Sequence, residues 1–182
     1  FHILNHTVVN LLKIDALPLV RDVFPDVRYI IVGAGTKSFG DNRERIRAYA
    51  EERGFSGFVV LAGHAPNEEI ADYYNLCDLF IMPSLQEGFG VVFLEALASG
   101  KPVIVGNKDG SGDAVLDGEL GILIDPHDTD SIARAIIKVL KGDAPKRLYD
   151  REFLRRRVLE VYGYDEFKEK VVELLKTVKY GL

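Results

Sequence analysis

The chain of 182 residues holds one cysteine, one methionine and one glutamine. A single thiol excludes an internal disulfide and a thiolate metal site. Cys77 stands just ahead of an apolar run and reads as a small buried side chain. The shortage of Cys, Met and Gln beside abundant Lys, Arg and Glu points toward a thermophilic source. No apolar run approaches the length that crosses a bilayer, and no stretch reads as a signal peptide. A basic excess is missing too. The net charge of −5 and the pI near 5.4 argue against nucleic acid as the main partner. The one basic cluster, Arg155-Arg156-Arg157, reads as a solvated helix face. No Ser, Cys or second His stands with His64 as a catalytic triad or a metal site would need. No metal is expected.

What is present is an ordinary globular composition, 47% hydrophobic and 28% charged, in a length that suits one domain. Apolar runs near 1–4, 27–32, 58–62, 79–82, 103–105 and 122–124 read as strands, each followed by a helical pattern. That alternation describes an α/β fold, a Rossmann-like three-layer α/β/α sandwich around about six parallel strands. Between them, helices are expected over 8–23 with a break near Pro18, over 41–53, over 68–76 with Asn67 as N-cap, and over 130–140 capped by Asp128 or Thr129. Beyond Gly142 the pattern turns helical and highly charged, over 145–162 and again over 165–178. These C-terminal helices are expected to pack on the domain or extend from it.

Ligands of such sheets gather at the carboxyl ends of the strands. Gly33, His64, Ser84–Gly90 and Asn107–Gly112 all fall there. The stretch 78–106 is the centre of the group: Asp78–Met82 and Pro102–Val105 read as buried central strands, and Val91–Ala98 fits one helix closed by Ser99-Gly100. Gly88-Phe89-Gly90 then sits on that helix's N-terminal end, where free N–H groups and the helix dipole favour phosphate. Glu87 precedes the turn and Glu95 lies inside the helix, with seven residues between them. At roughly 1.5 Å per residue, Glu95 lies about 7 Å along the axis from Gly90. A diphosphate at the helix end would have one hydroxyl-binding carboxylate on each side, an arrangement that suits a nucleotide sugar. Spacing alone leaves a plainer reading open, with Glu87 an ordinary loop carboxylate and Glu95 on the exposed face of an amphipathic helix.

The segment PSLQEGFGVVFLEALASGKPVI resembles the Glu-x7-Glu segment of retaining, nucleotide-sugar-dependent glycosyltransferases of the GT-B fold, family 4, with the proline-serine pair, both glutamates, both glycines and the closing G-K-P-V in register. The resemblance implies that the chain is the C-terminal, donor-binding half of a GT-B fold. It implies that Glu95 binds the ribose hydroxyls, that Glu87 binds the transferred sugar as the catalytic-site carboxylate, and that the amides from Gly88 to Val92, including those of Phe89, Gly90 and Val91, hold sugar and phosphate. It brings in Ser84 beside them, the V-G-x-G turn at Gly33 and Gly35 as lining of the nucleotide pocket, and the loop of His64 near the base. The donor would be a UDP-, GDP- or ADP-hexose, with no further cofactor. The acceptor, a sugar, lipid or protein, would be held by an N-terminal domain of a longer chain, of which this sequence, beginning Phe-His-Ile-Leu, reads as an excised half. The isolated domain is expected to bind donor and to transfer poorly. A cytoplasmic setting is expected, peripheral at the inner membrane face through the other half.

One part of the family pattern is missing. Family members carry an Arg and a Lys after the first strand that neutralise the departing diphosphate; here His2 or His6 stands in place of Arg, and Thr7 or Val8 in place of Lys. Lys13 and Lys108 are the cations that could substitute. Two other readings stay open: a non-catalytic domain with a degenerate phosphate clamp, and an NAD-dependent oxidoreductase domain built on the Gly33–Gly35 turn. Ser38, standing where the third glycine of G-x-G-x-x-G belongs, counts against the latter.

Overall fold

In the computed structural model the described residues are 2–6, 12–33 and 43–180, with side chains described over 14–33 and 43–177. His2, His6, Thr7, Val8 and Lys13, the substitutes and candidates for the cation pair, lie outside the described side chains. Gly35 and Ser38 lie outside the described residues altogether.

Six strands form one fully parallel sheet: β1 (His2–His6), β2 (Arg28–Val32), β3 (Val59–Gly63), β4 (Leu79–Met82), β5 (Val103–Gly106) and β6 (Gly121–Ile124). Their order is β3-β2-β1-β4-β5-β6, the doubly wound order of two mononucleotide-binding halves. The order reverses between β1 and β4, so the connections leave these strands in opposite directions and open a crevice above their carboxyl ends. Register fixes the neighbours: Leu4 lies beside Phe80, and Met82 beside Val105. All four residues of β4 and all four of β5 are buried, as strands covered on both faces must be.

The helices are α1 (Leu12–Asp15), α2 (Leu17–Val23), α3 (Arg43–Glu52), α4 (Asn67–Leu76), α5 (Val91–Ala98), α6 (Ser111–Ala114), α7 (Thr129–Leu140), α8 (Arg151–Tyr162) and α9 (Tyr164–Tyr180). The expected break near Pro18 falls at Ala16, and Pro18 sits in the first turn of α2, where its missing N–H costs nothing. Asp128 caps α7 by accepting the Ser131 amide at 2.9 Å. The strand and helix ends otherwise fall within two residues of the sequence reading where they are described, and two helix starts are capped differently. Pro66, not Asn67, occupies the cap position of α4, with φ −57° and ψ 151° and no side-chain cap; the pyrrolidine ring fixes φ and the extended ψ sets the turn into the helix. The helix expected from 145 begins only at Arg151, because Asp150 accepts the Phe153 amide at 3.0 Å and so caps it there, after a 3-10 turn over Lys146–Tyr149.

Cys77 is buried, as its setting in the sequence implied, and burial pushes its thiol up to about 12. The arginine cluster divides. Arg157 pairs with Glu119 at 2.7 Å and ties α8 to the turn before β6, whereas Arg156 pairs, among the described residues, with Glu160 of its own helix at 3.6 Å. Leu154 and Val158 bury α8 in the core. Along α9, Tyr164, Phe167, Leu174 and Leu175 remain 61–76% exposed.

Candidate donor site

The site is built where the loops after β4 and β5 meet. Since Met82 and Val105 are register partners, the chain leaving each strand runs beside the other. Ser84 is buried at the start of the first loop, where its hydroxyl accepts the Gln86 amide at 3.2 Å and turns the backbone. Glu87 follows, half-buried, with its carboxylate in no hydrogen bond or ion pair among the described residues. Gly88 is exposed. The Phe89 ring packs edge-on against Tyr162 of α8 at 5.4 Å, so Phe89 offers the site its backbone rather than its side chain. The Tyr162 hydroxyl in turn donates to the Asp113 carbonyl.

Gly90 turns this loop into α5. Its φ of +87° is a left-handed conformation that L side chains rarely adopt, and a Cβ there would run into the Phe93 ring. Val91 then begins α5 with no side chain capping its N-terminus, so the first amides keep their hydrogen-bonding capacity for something outside the helix. Glu95 lies one turn further on. It is exposed, and its Oε2 accepts the Tyr74 hydroxyl at 2.9 Å; the same hydroxyl lies 3.2 Å from the Val92 carbonyl. Burial, and then the Glu95 charge, push the Tyr74 phenol well above its ordinary value, so it remains a donor at every working pH. Glu95 is thus held by a buried phenol, which the plain reading of an idle surface carboxylate did not contain.

The loop after β5 closes the other side. Asp109 accepts the Glu87 amide on Oδ2 at 2.8 Å and the Ser111 amide on Oδ1 at 3.0 Å, while the Gly110 amide donates to the Glu87 carbonyl at 2.9 Å. Lys108, a candidate substitute cation, has its ammonium 3.4 Å from Asp125. At the other side of the crevice, Gly33 ends β2 and donates its amide to the Gly63 carbonyl at 2.7 Å, which joins the ends of β2 and β3. His64 follows β3 with an exposed side chain. Both share the carboxyl edge of the sheet with Glu87 and Glu95, but β1 stands between the two groups. Sequence reasoning missed Tyr74 as part of the site, and it placed Asp109 only within the stretch Asn107–Gly112 at the strand ends, without its bond to Glu87. The available signals were a tyrosine just ahead of β4 and an Asp-Gly turn after the neighbouring strand.

A parallel sheet of this order, with a glycine turn entering an uncapped helix at its switch point, matches one half of a GT-B glycosyltransferase fold. Solved structures agree. Sucrose-phosphate synthase from Thermosynechococcus elongatus superposes over 99% of this chain and 46% of its own, with a TM-score of 0.80 and 26% identity. HepE of Anabaena, solved in complex with UDP and glucose, covers 96% of this chain and 48% of its own at a TM-score of 0.79; at 22% identity it speaks for the fold alone.

The family follows from the sequence match. Residues 10–157 match the family described as Glycosyl transferases group 1, and the chain belongs to it. Among curated relatives, the D-inositol 3-phosphate glycosyltransferase of Acidothermus cellulolyticus is 37% identical over 68% of this chain and 27% of that protein. A GDP-mannose-dependent α-(1-6)-phosphatidylinositol monomannoside mannosyltransferase of Mycolicibacterium smegmatis is 35% identical over 68% of this chain and 33% of that protein. The chain therefore spans roughly a third of the length of such relatives. No helix among the described residues is long and apolar enough to cross a membrane.

Proposed function

We propose that this chain is the donor-binding half of a transferase that moves a hexose from a nucleoside diphosphate to an acceptor with retention of configuration. The observation that carries the reading is the uncapped N-terminus of α5 flanked by Glu87 and Glu95. The diphosphate takes the free amides and the positive end of the helix. Glu95, held by Tyr74, accepts hydrogen bonds from the ribose hydroxyls. Glu87, whose carboxylate is uncommitted among the described residues, accepts them from the transferred sugar. Gly33 and the backbone beside His64 border the nucleoside, with Gly35 expected beside them. The donor is a UDP-, GDP- or ADP-hexose, and no resident cofactor or metal enters the scheme. The acceptor, a sugar, lipid or protein, docks through a domain of a longer chain, in a cytoplasmic setting that reaches the inner membrane face through that domain.

In such a site the bond from the sugar's anomeric carbon to the diphosphate breaks on the face that the acceptor hydroxyl approaches. The leaving diphosphate oxygen then accepts the acceptor's proton. The α5 amides and dipole stabilise the charge that develops on that oxygen.

Titration calorimetry with UDP, GDP, ADP and NAD, on the chain and on Glu95→Ala, tests the reading. One nucleoside diphosphate is expected to bind, with affinity lost in Glu95→Ala. Binding of NAD alone would overturn the reading, and absence of all binding would mark the phosphate site as degenerate.

A further inference from the structure

The two carboxylates of the site are held in different ways. Glu95 is fixed through its side chain, by Tyr74. Glu87 is fixed through its backbone, by the loop after β5: its amide donates to Asp109 at 2.8 Å and its carbonyl accepts from Gly110 at 2.9 Å. Asp109 spends its second oxygen on the Ser111 amide at 3.0 Å, so both of its oxygens accept from backbone. The contact is built for closeness, because a Cβ on Gly110 would collide with the Gly88 carbonyl, and only glycine lets the two loops run side by side. Behind the first loop, the Phe89 ring is stopped by Tyr162. The segment 87–89 is thus gripped between a carboxylate in front and an aromatic ring behind.

We propose that Asp109 is a positioning residue that sets the sugar end of the donor site, independently of its nucleoside end. This rests on the donor reading of Glu87 and Glu95 given above. An ionised carboxylate that accepts two backbone amides holds a loop more firmly than neutral partners do, and the loop it holds carries Glu87. Asp109 holds the Glu87 loop from the β5 side, whereas Tyr74 of α4 holds Glu95. Loosening the clamp therefore lowers affinity for the hexose part and leaves the nucleoside diphosphate part as it was. Discrimination between the charged donor and its spent product is the quantity that Asp109 controls.

The test uses the chain with Asp109→Ala and Asp109→Asn, and two measurements. Amide hydrogen exchange reads the clamp without any ligand: the Glu87 and Gly110 amides are expected to exchange about tenfold faster in Asp109→Ala. Calorimetry with the nucleoside diphosphate that binds, and with its hexose ester, reads the consequence. Affinity for the hexose ester is expected to fall about tenfold in Asp109→Ala and affinity for the free diphosphate to change less than twofold. Asp109→Asn keeps one carbonyl oxygen and is expected to lie between, near threefold. Unchanged exchange over 86–90 overturns the proposal whether or not any ligand binds, and so does an equal loss for both ligands or for neither. A parent chain that binds no diphosphate marks the phosphate site as degenerate, a failure of the donor reading and not of the clamp, and the exchange data still decide whether the clamp exists.

Discussion

Replacing Tyr74 with phenylalanine removes one oxygen and leaves the surrounding packing in place. The ring stays edge-on to Phe80 at 5.5 Å, and Phe80 edge-on to Phe93 at 5.9 Å, so this aromatic stack beneath α5 keeps its shape. What is lost is the hydrogen bond to Glu95 at 2.9 Å and the weaker approach to the Val92 carbonyl at 3.2 Å. Glu95 is exposed, so water takes over its oxygen and the cost to stability is at the low end for a net hydrogen bond, about 0.5–1 kcal/mol. The larger effect falls on binding. A freed glutamate must be ordered again when the ribose arrives, and immobilising such a side chain costs about 1 kcal/mol. That corresponds to about a fivefold weaker affinity for the nucleoside diphosphate. Calorimetry on Tyr74→Phe, Glu95→Ala and the double variant closes a thermodynamic cycle. If the phenol acts through Glu95, the double variant binds no more weakly than Glu95→Ala alone. Full additivity, or unchanged affinity in Tyr74→Phe, would refute the reasoning.

Two further outcomes follow from positions already described. Gly90→Ala forces a Cβ into a left-handed residue and against the Phe93 ring, so we expect a loss of about 2 kcal/mol or more in urea unfolding, together with weaker diphosphate binding. The Arg157 guanidinium lowers the Glu119 carboxyl below its ordinary value of 4.5. A depressed carboxyl stabilises the fold in full above its unfolded value and loses that contribution as pH falls through the lower folded value. Glu119→Gln is therefore expected to be less stable than the parent near neutrality, and the two should converge as pH falls through the lowered folded value of Glu119; parallel melting curves from neutral to acid pH would contradict this.

The sheet was legible because its strands are uninterrupted apolar runs. Leu79–Met82 and Val103–Gly106 bury every residue, and α5 spans 91–98 as its glycine borders implied. Helix starts were harder where two candidates competed, as at Pro66 against Asn67 and at Asp150 against the earlier Pro145. Which of two residues caps a helix depends on local backbone geometry that composition does not specify. The binding segment could be read from one continuous stretch, but its supports could not. Tyr74 lies 21 residues from Glu95, and Asp109 lies 22 from Glu87. Such pairs meet only because β4 and β5 are register neighbours and α4 packs beside α5, facts of topology that periodicity along the chain does not carry.

The position of β1 has a consequence for how the protein comes to be folded. It is the first of these six strands in sequence yet it lies in the interior of the sheet, beside β2 and β4. Its second partner is distant: Ile3 pairs with Leu79, a separation of 79 − 3 = 76 residues. At synthesis rates of roughly 5–20 residues per second, β1 waits about 4–15 s for β4 to be made. Throughout that interval the nascent chain carries an open strand edge, the feature most prone to pairing with a neighbouring chain. The same separation puts sheet closure among the slow steps of refolding, since long loops must close before these contacts repay the cost.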